Sequence, residues 1–195
     1  MSEQIESTIN EIFGLYEQFG AREYAGEKVS QLEHMAQAGL LALGGGYDDE
    51  VVLAAFLHDI GHLLPIEGPA ESMDGFGKMD HEKEGAKYLF KAGFSERVCK
   101  LIASHVNAKR YLTWKYPEYY NRLSEASKRT LEFQGGKMSD EEAKDFEADP
   151  LFDLYIQMRH WDETAKLEHQ ALPDMGLFRQ KAIEHLQRST AKELS

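Results

Sequence analysis

Eight histidines stand in this chain, His34, His58, His62, His81, His105, His160, His169 and His185, and the first five precede Tyr111 on or beside segments that pattern as helices. His58 is followed directly by Asp59 inside a strongly apolar run over 48–64 that reads as one helix. An unpaired carboxylate buried there is costly, so something must compensate its charge. A metal ion would do so. Asp59 could bridge two cations while His58 donates one imidazole, and His34, His81 and His105 from neighbouring helices would complete the donor set. Asp162, beside Trp161 on a later helix over 151–167, could supply the last carboxylate. Nitrogen and oxygen donors without a thiolate favour iron, manganese or another borderline metal over a structural zinc site. A lone histidine on a helix is ordinary, but this set is not one of isolated residues. His160, His169 and His185 lie in polar or amphipathic surroundings and are assigned no role.

The elements that must position these donors are helical. Apolar residues recur at helical spacing almost throughout, first as Ile5, Ile9, Ile12, Phe13 and Tyr16, then as Val51, Leu53, Ala54, Phe56 and Leu57. Alternating strand patterns are scarce. Stop signals fall at Gly44-Gly45-Gly46, Gly61, Gly93 and Gly135-Gly136, and Asp48, Ser95 and Ser124 sit where helix N-caps are wanted. Ser139 followed by Glu142 reads as a capping box before a short acidic helix that Pro150 ends or restarts. The expectation is an all-α bundle of roughly eight to ten helices, forming one domain over 1–195. The segment 65–80, with Pro69, Gly68, Gly75 and Gly77, is the best candidate for a long loop, and its place beside the histidines makes it a candidate lid.

Composition narrows the partners. The chain has 195 residues with 22 Lys plus Arg against 34 Asp plus Glu, a formal net charge of -12 that repels a polyphosphate backbone and anionic lipid. Nucleic acid and membrane are therefore not expected partners. A small anionic substrate would need a positive site built locally against that field, from cationic side chains or from metal ions. Cys99 is the single cysteine, so a reducing compartment, the cytoplasm, fits best. Residues 1–20 carry Glu3, Glu6, Glu11 and Glu17 rather than a basic start and an apolar run, and do not read as a signal peptide. No apolar stretch approaches the roughly 20 residues of a transmembrane helix.

The order His34, His58-Asp59, His81, His105, Asp162 resembles the dinuclear branch of the HD-domain superfamily, a helical bundle holding metals between helices. That order is shared by dinuclear phosphohydrolases, cyclic-nucleotide phosphodiesterases and the inositol oxygenase. Further segments narrow it. Tyr24-Ala25-Gly26-Glu27 ahead of Gln31-Leu32-Glu33-His34, then 105–111, 124–134 and Arg159-His160-Trp161-Asp162, resemble the small diiron oxygenases that cleave the carbon–phosphorus bond of hydroxylated aminoethylphosphonates. The resemblance implies two iron ions in a mixed-valent Fe(II)/Fe(III) pair, with O2 and an organophosphonate as partners. It implies that Tyr24 occupies one iron at rest and leaves with Glu27 when substrate arrives. It places Lys109, Ser127, Gln134, Arg159 and His62 around the phosphonate and the reacting centre.

The residue chemistry suits that implication. An Fe(II)/Fe(III) pair carries five positive charges and Asp59 with Asp162 removes two, leaving about three for an incoming dianion. Lys109 follows His105 by four residues and Arg159 precedes Asp162 by three, so in helices each cation shares a face with a ligand. Arg159 could grip phosphonate oxygens in a fork while Lys109 acts as a compact charge. At the amine end, Glu27 could pair with an ammonium, and Tyr24, Phe76, Tyr111 or Trp161 could face a quaternary cation. Ala25 could leave room for methyl groups. Primary and trimethylated amines, yielding glycine and glycine betaine, both stay open. Two other readings compete with the oxygenase: a metal-dependent phosphohydrolase of nucleotides or phosphomonoesters, and a catalytically silent regulatory HD bundle. A water-activating site has no need of a displaceable tyrosine, which favours the oxygenase.

Overall fold

The computed structural model describes residues 2–24, 26–65, 73 and 78–193. Ala25, Phe76 and most of the expected lid over 65–80 lie outside the described residues. Among the described residues the chain forms ten α-helices and one short 3₁₀ turn, with an isolated β-bridge between Glu23 and Ser30. The helices are α1 Glu3–Phe19, α2 Gln31–Gly44, α3 Asp49–Leu57, α4 His81–Lys91, α5 Glu96–Lys115, α6 Pro117–Arg122, α7 Glu125–Phe133, α8 Asp140–Glu147, α9 Phe152–Thr164 and α10 Gly176–Glu193.

Local chemistry sets most of these boundaries. The Asp48, Ser95 and Ser124 side chains accept from the first free amides of α3, α5 and α7, which otherwise have no intrahelical partner. Ser139 and Glu142 close a reciprocal capping box at the start of α8, and Ser30 with Glu33 does the same for α2. The acidic N-terminal stretch is α1, whose Ile5, Ile9, Ile12, Phe13 and Tyr16 form one buried stripe.

At the centre lies α3, in which every residue from Val51 to Leu57 is buried among α2, α5 and α10. Phe56 stacks flat on Phe178 at a centroid distance of 4.2 Å and on Tyr16 at 4.9 Å. Each such side chain removed from water contributes about 1.5–3 kcal/mol, so this helix is the most strongly anchored part of the fold. A second, smaller core of Tyr111, Leu112, Tyr119, Leu123, Leu131, Met138 and Ala143 holds α6, α7 and α8 against the far half of α5.

Two boundaries differ from the sequence expectation. The apolar run over 48–64 is not one helix: α3 ends at Leu57, His58 and Asp59 form a turn, and Ile60–His62 is a 3₁₀ turn. Gly61 is accordingly not a stop signal but a point of close approach. A Cβ built on it would lie 1.9 Å from the His81 carbonyl oxygen at the start of α4. Helix α9 ends at Thr164 rather than 167, because Ala165 leaves helical geometry at ψ 45° and gives its carbonyl to the ring of His34.

Candidate active site

Four imidazoles are locked in one orientation by the backbone. Nδ1 of His34 lies 2.9 Å from the Ala165 carbonyl, that of His58 2.8 Å from Ala55, that of His81 3.1 Å from Lys78 and that of His105 2.8 Å from Ile102. A carbonyl only accepts, so each Nδ1 carries the hydrogen and each Nε2 turns a lone pair inward. The Nε2 atoms of His34 and His58 then face each other at 3.0 Å, and those of His81 and His105 at 3.1 Å.

Asp59 stands between the two pairs. Its Oδ2 lies 3.5 Å from both His34 and His58, and its Oδ1 lies 3.2 Å from His81 and 3.3 Å from His105. Asp162 adds Oδ1 at 3.4 Å from His34. Among the described residues, both Asp59 oxygens and Oδ1 of Asp162 are buried without a hydrogen-bond partner. Facing lone pairs and orphaned carboxylate oxygens in a dry interior demand cations, and two ions bridged by Asp59 would satisfy them all. The donor set therefore fits a metal pair. Burial opposes charge on His34, but the Asp162 and Asp59 carboxylates outweigh it and raise its pKa to about 9. Burial also opposes the charges of both aspartates, yet the surrounding imidazoles, and Arg159 for Asp162, hold them well below the usual carboxylate range.

His62 is arranged differently. Its donor atoms fall within 4.8 Å of those of Asp59 and His81, and its ring stacks on His81 at 3.9 Å. Its Nδ1, however, accepts from the Lys78 amide at 3.3 Å, which leaves the hydrogen on Nε2. Burial, followed by the neighbouring His81, pushes its pKa well below the ordinary value, so it stays a neutral N–H donor.

Beside the histidine–aspartate cluster is a small cavity of about 50 Å³ that the sequence-derived Tyr24, Glu27, His62, Lys109, Ser127, Gln134 and Arg159 all line. Lys109 is buried with Nζ bonded to Thr130 Oγ1 at 2.8 Å and to the Ser127 carbonyl at 3.5 Å, both neutral partners. Burial, then repulsion from Arg159, lowers its pKa to about 7. Arg159 is held from three sides: Nε donates to Tyr119 Oη at 2.9 Å and to Glu163 Oε1 at 2.8 Å, and Nη1 bonds Asp162 Oδ2. Its Nη2 is buried with no partner among the described residues. A buried ammonium without a carboxylate and an orphaned guanidinium N–H on one wall make an anion site. Ser127 gives Lys109 its carbonyl, while its amide is tied to the Ser124 cap.

Tyr24 packs its ring on His34 at 4.0 Å and 17°. Burial, then the nearby Asp59 and Asp162 charges, raise its phenol well above the usual value. Glu27 accepts from Lys166 Nζ at 2.6 Å and from Ser124 Oγ at 2.8 Å. Tyr111 and Trp161, expected as faces for a quaternary cation, do not line the cavity. Tyr111 sits in the small core with its hydroxyl on Glu147, and Trp161 packs edge-on against Tyr47 in the main core. The sequence reading missed Lys166, Thr130, Gln31, Tyr119 and Glu163. Lys166 carried no local signal: it lies past the end of α9 at Thr164, and its partner Glu27 is 139 residues away.

Comparison with known proteins agrees with this geometry. Residues 31–149 match the HD domain family. The chain is 45% identical over 188 residues to an uncharacterized protein of Acanthamoeba polyphaga mimivirus, covering 96% of this chain and 86% of that one. It is 40% identical over 167 residues to the 1-hydroxy-2-(trimethylamino)ethylphosphonate dioxygenase (glycine-betaine-forming) of Leisingera caerulea, covering 86% and 84%. It is 37% identical over 180 residues to the hydroxymethylphosphonate dioxygenase of Gimesia maris, covering 91% and 89%. With its histidine–aspartate cluster at the junction of α2, α3, α4, α5 and α9, the chain belongs to the HD-domain family.

Proposed function

We propose that this protein is an iron-dependent oxygenase that uses O2 to cleave the carbon–phosphorus bond of a 1-hydroxyphosphonate. The observation that carries this reading is the junction of two sites: donors for two ions bridged by Asp59, opening onto a cavity whose wall presents Lys109 and the orphaned Nη2 of Arg159. Both named relatives act, by their names, on hydroxylated phosphonates. The 1-hydroxy-2-aminoethyl substrate and its N-trimethyl analogue, giving glycine and glycine betaine, fall in this class. The net reaction joins R–CH(OH)–PO₃²⁻ and O2 to give R–COO⁻, hydrogen phosphate and a proton, so one oxygen atom goes to carbon and one to phosphorus with no outside reductant.

When bound, an Fe(II)/Fe(III) pair would supply the electron that activates O2 and Lewis acidity toward the substrate's hydroxyl and one phosphonate oxygen. His34, His58, Asp59, His81, His105 and Asp162 would hold it. The chain's own residues do the rest. Lys109 and Arg159 neutralise and orient the phosphonate, with Gln134 and Ser127 as neutral neighbours. Tyr24, stacked on His34, closes the site at rest and moves out with Glu27 when substrate enters. His62 offers its Nε2 hydrogen to the reacting centre. The net charge of -12 supports a small-molecule partner rather than nucleic acid or a membrane surface. No described helix is long and apolar enough to cross a membrane. Buried Cys99 supports the cytoplasm as the setting, and the packing of α1 and α10 into the main core supports one HD unit over 1–195.

The test is phosphate release from iron-loaded protein offered hydroxymethylphosphonate, 1-hydroxy-2-aminoethylphosphonate and its N-trimethyl analogue, with and without O2. The expected result is one phosphate per O2 consumed and none under anaerobic conditions. Phosphate released from a phosphomonoester without O2 would establish the hydrolase instead.

A further inference from the structure

Charged groups around the cavity pair off unequally. Among the described residues lining it, carboxylates belong only to Glu27 and Asp162. Asp162 is committed to Arg159 and the metal centre. Glu27 is committed to Lys166 at 2.6 Å and to Ser124 at 2.8 Å. The one phenol among these lining residues, Tyr24, already has a face stacked on His34 and the Lys166 ammonium 5.5 Å from its ring centroid. Among the described lining residues, the unpaired carboxylate and the open aromatic face that could hold a cationic tail are therefore both taken by the same lysine and its neighbours.

We propose that the preferred substrate is a 1-hydroxyphosphonate with a short uncharged tail, hydroxymethylphosphonate being the smallest, and that Lys166 sets this preference by occupying Glu27. The inference rests on the oxygenase reading above and chooses among its substrates. It holds in either position of the Tyr24–Glu27 segment. With Glu27 in place, the wall beside the tail is an already neutral ion pair. With Glu27 withdrawn, Lys166 remains as an uncompensated cation, and a substrate ammonium would meet repulsion in a buried site where charges are poorly screened. Gln31 and Gln134, each with a buried Oε1 that has no partner among the described residues, add acceptors for an N–H to that cavity but no charge to balance an ammonium.

The experiment is anaerobic calorimetric titration of the iron-loaded protein with the three phosphonates, repeated for Lys166→Gln and Lys166→Arg, with iron content and circular dichroism as controls on folding. Wild type is expected to bind hydroxymethylphosphonate about tenfold or more tightly than either cationic substrate. Lys166→Gln should narrow that ratio about tenfold by freeing Glu27, and Lys166→Arg should keep it. Tighter binding of a cationic substrate by wild type overturns the inference while leaving the oxygenase reading intact, as does an unchanged ratio in Lys166→Gln. Binding of none of the three overturns both.

Discussion

The metal-ligating side and the anion-binding side of the cavity are built by different means. Each of the four inward imidazoles is fixed by a backbone carbonyl, and they grow from α2, α4, α5 and the turn after α3, all packed into the large core around α3. Lys109 and Arg159 face them from the side of the smaller core, and their nearer partners are side chains, Thr130, Tyr119, Glu163 and Asp162, with the Ser127 carbonyl a longer contact of Lys109 at 3.5 Å. A ligand held by main chain keeps its place at the cost of the whole fold. A cation held by hydroxyls and carboxylates can exchange a partner for a substrate oxygen. The contrast matches two duties, a donor set that must not move and a wall that must respond to what enters.

Four variants sharpen or break this contrast. The largest effect is expected for Asp59→Ala, which removes the bridge between both imidazole pairs; metal analysis should find both ions and all turnover lost, and retention of bound iron with activity would break the two-ion reading. Next comes Gly61→Ala. Its methyl group would meet the His81 carbonyl, so overpacking should destabilise by about 1–3 kcal/mol, lower Tm by roughly 2–12 °C and weaken iron retention. An unaltered melting curve would show that the junction of the turn and α4 is loose.

On the responsive side, Lys109→Met should raise the Kd for the phosphonate about 10- to 100-fold, the range of a hydrogen bond to a charged group, with iron content unchanged. The sign of its pH dependence follows from burial. Because the Lys109 pKa is pushed down to about 7, its charge is present below that pH and lost above it, so phosphonate affinity should fall as pH rises through neutrality. That limb should vanish in Lys109→Met. The smallest change is expected for Glu163→Gln, which weakens one of the bonds orienting Arg159. A loss of about two- to tenfold in kcat/KM with normal iron content would place Glu163 as a positioning residue. Burial raises its pKa to about 7, so the wild-type contribution should grow as pH rises past that value and the carboxylate forms.

Much of the fold was legible because its signals are local. Caps at Asp48, Ser95, Ser124 and Ser139 and the stripe from Ile5 to Tyr16 depend on nearest neighbours along one helix. The break of α3 after Leu57 was not legible, since the apolar run continues through Ile60 and Leu63 and the interruption answers a contact with α4. Lys166 escaped for the same reason: its partner Glu27 is 139 residues away. Tyr111 and Trp161 have the right chemistry to face a cation, but their burial in two cores depends on packing.

Residue types alone determined that this is a helical protein carrying nitrogen and oxygen donors for metal and a pair of cations in phase with them, because helical period and donor chemistry are properties of short stretches. Only the tertiary structure decided that Asp59 points one oxygen at each imidazole pair, that His62 carries its hydrogen on the opposite nitrogen from the ligands, and that Lys166 closes over Glu27. Those outcomes depend on which distant carbonyls and carboxylates come within about 3 Å of a side chain, and hydrogen bonding acts only at that range.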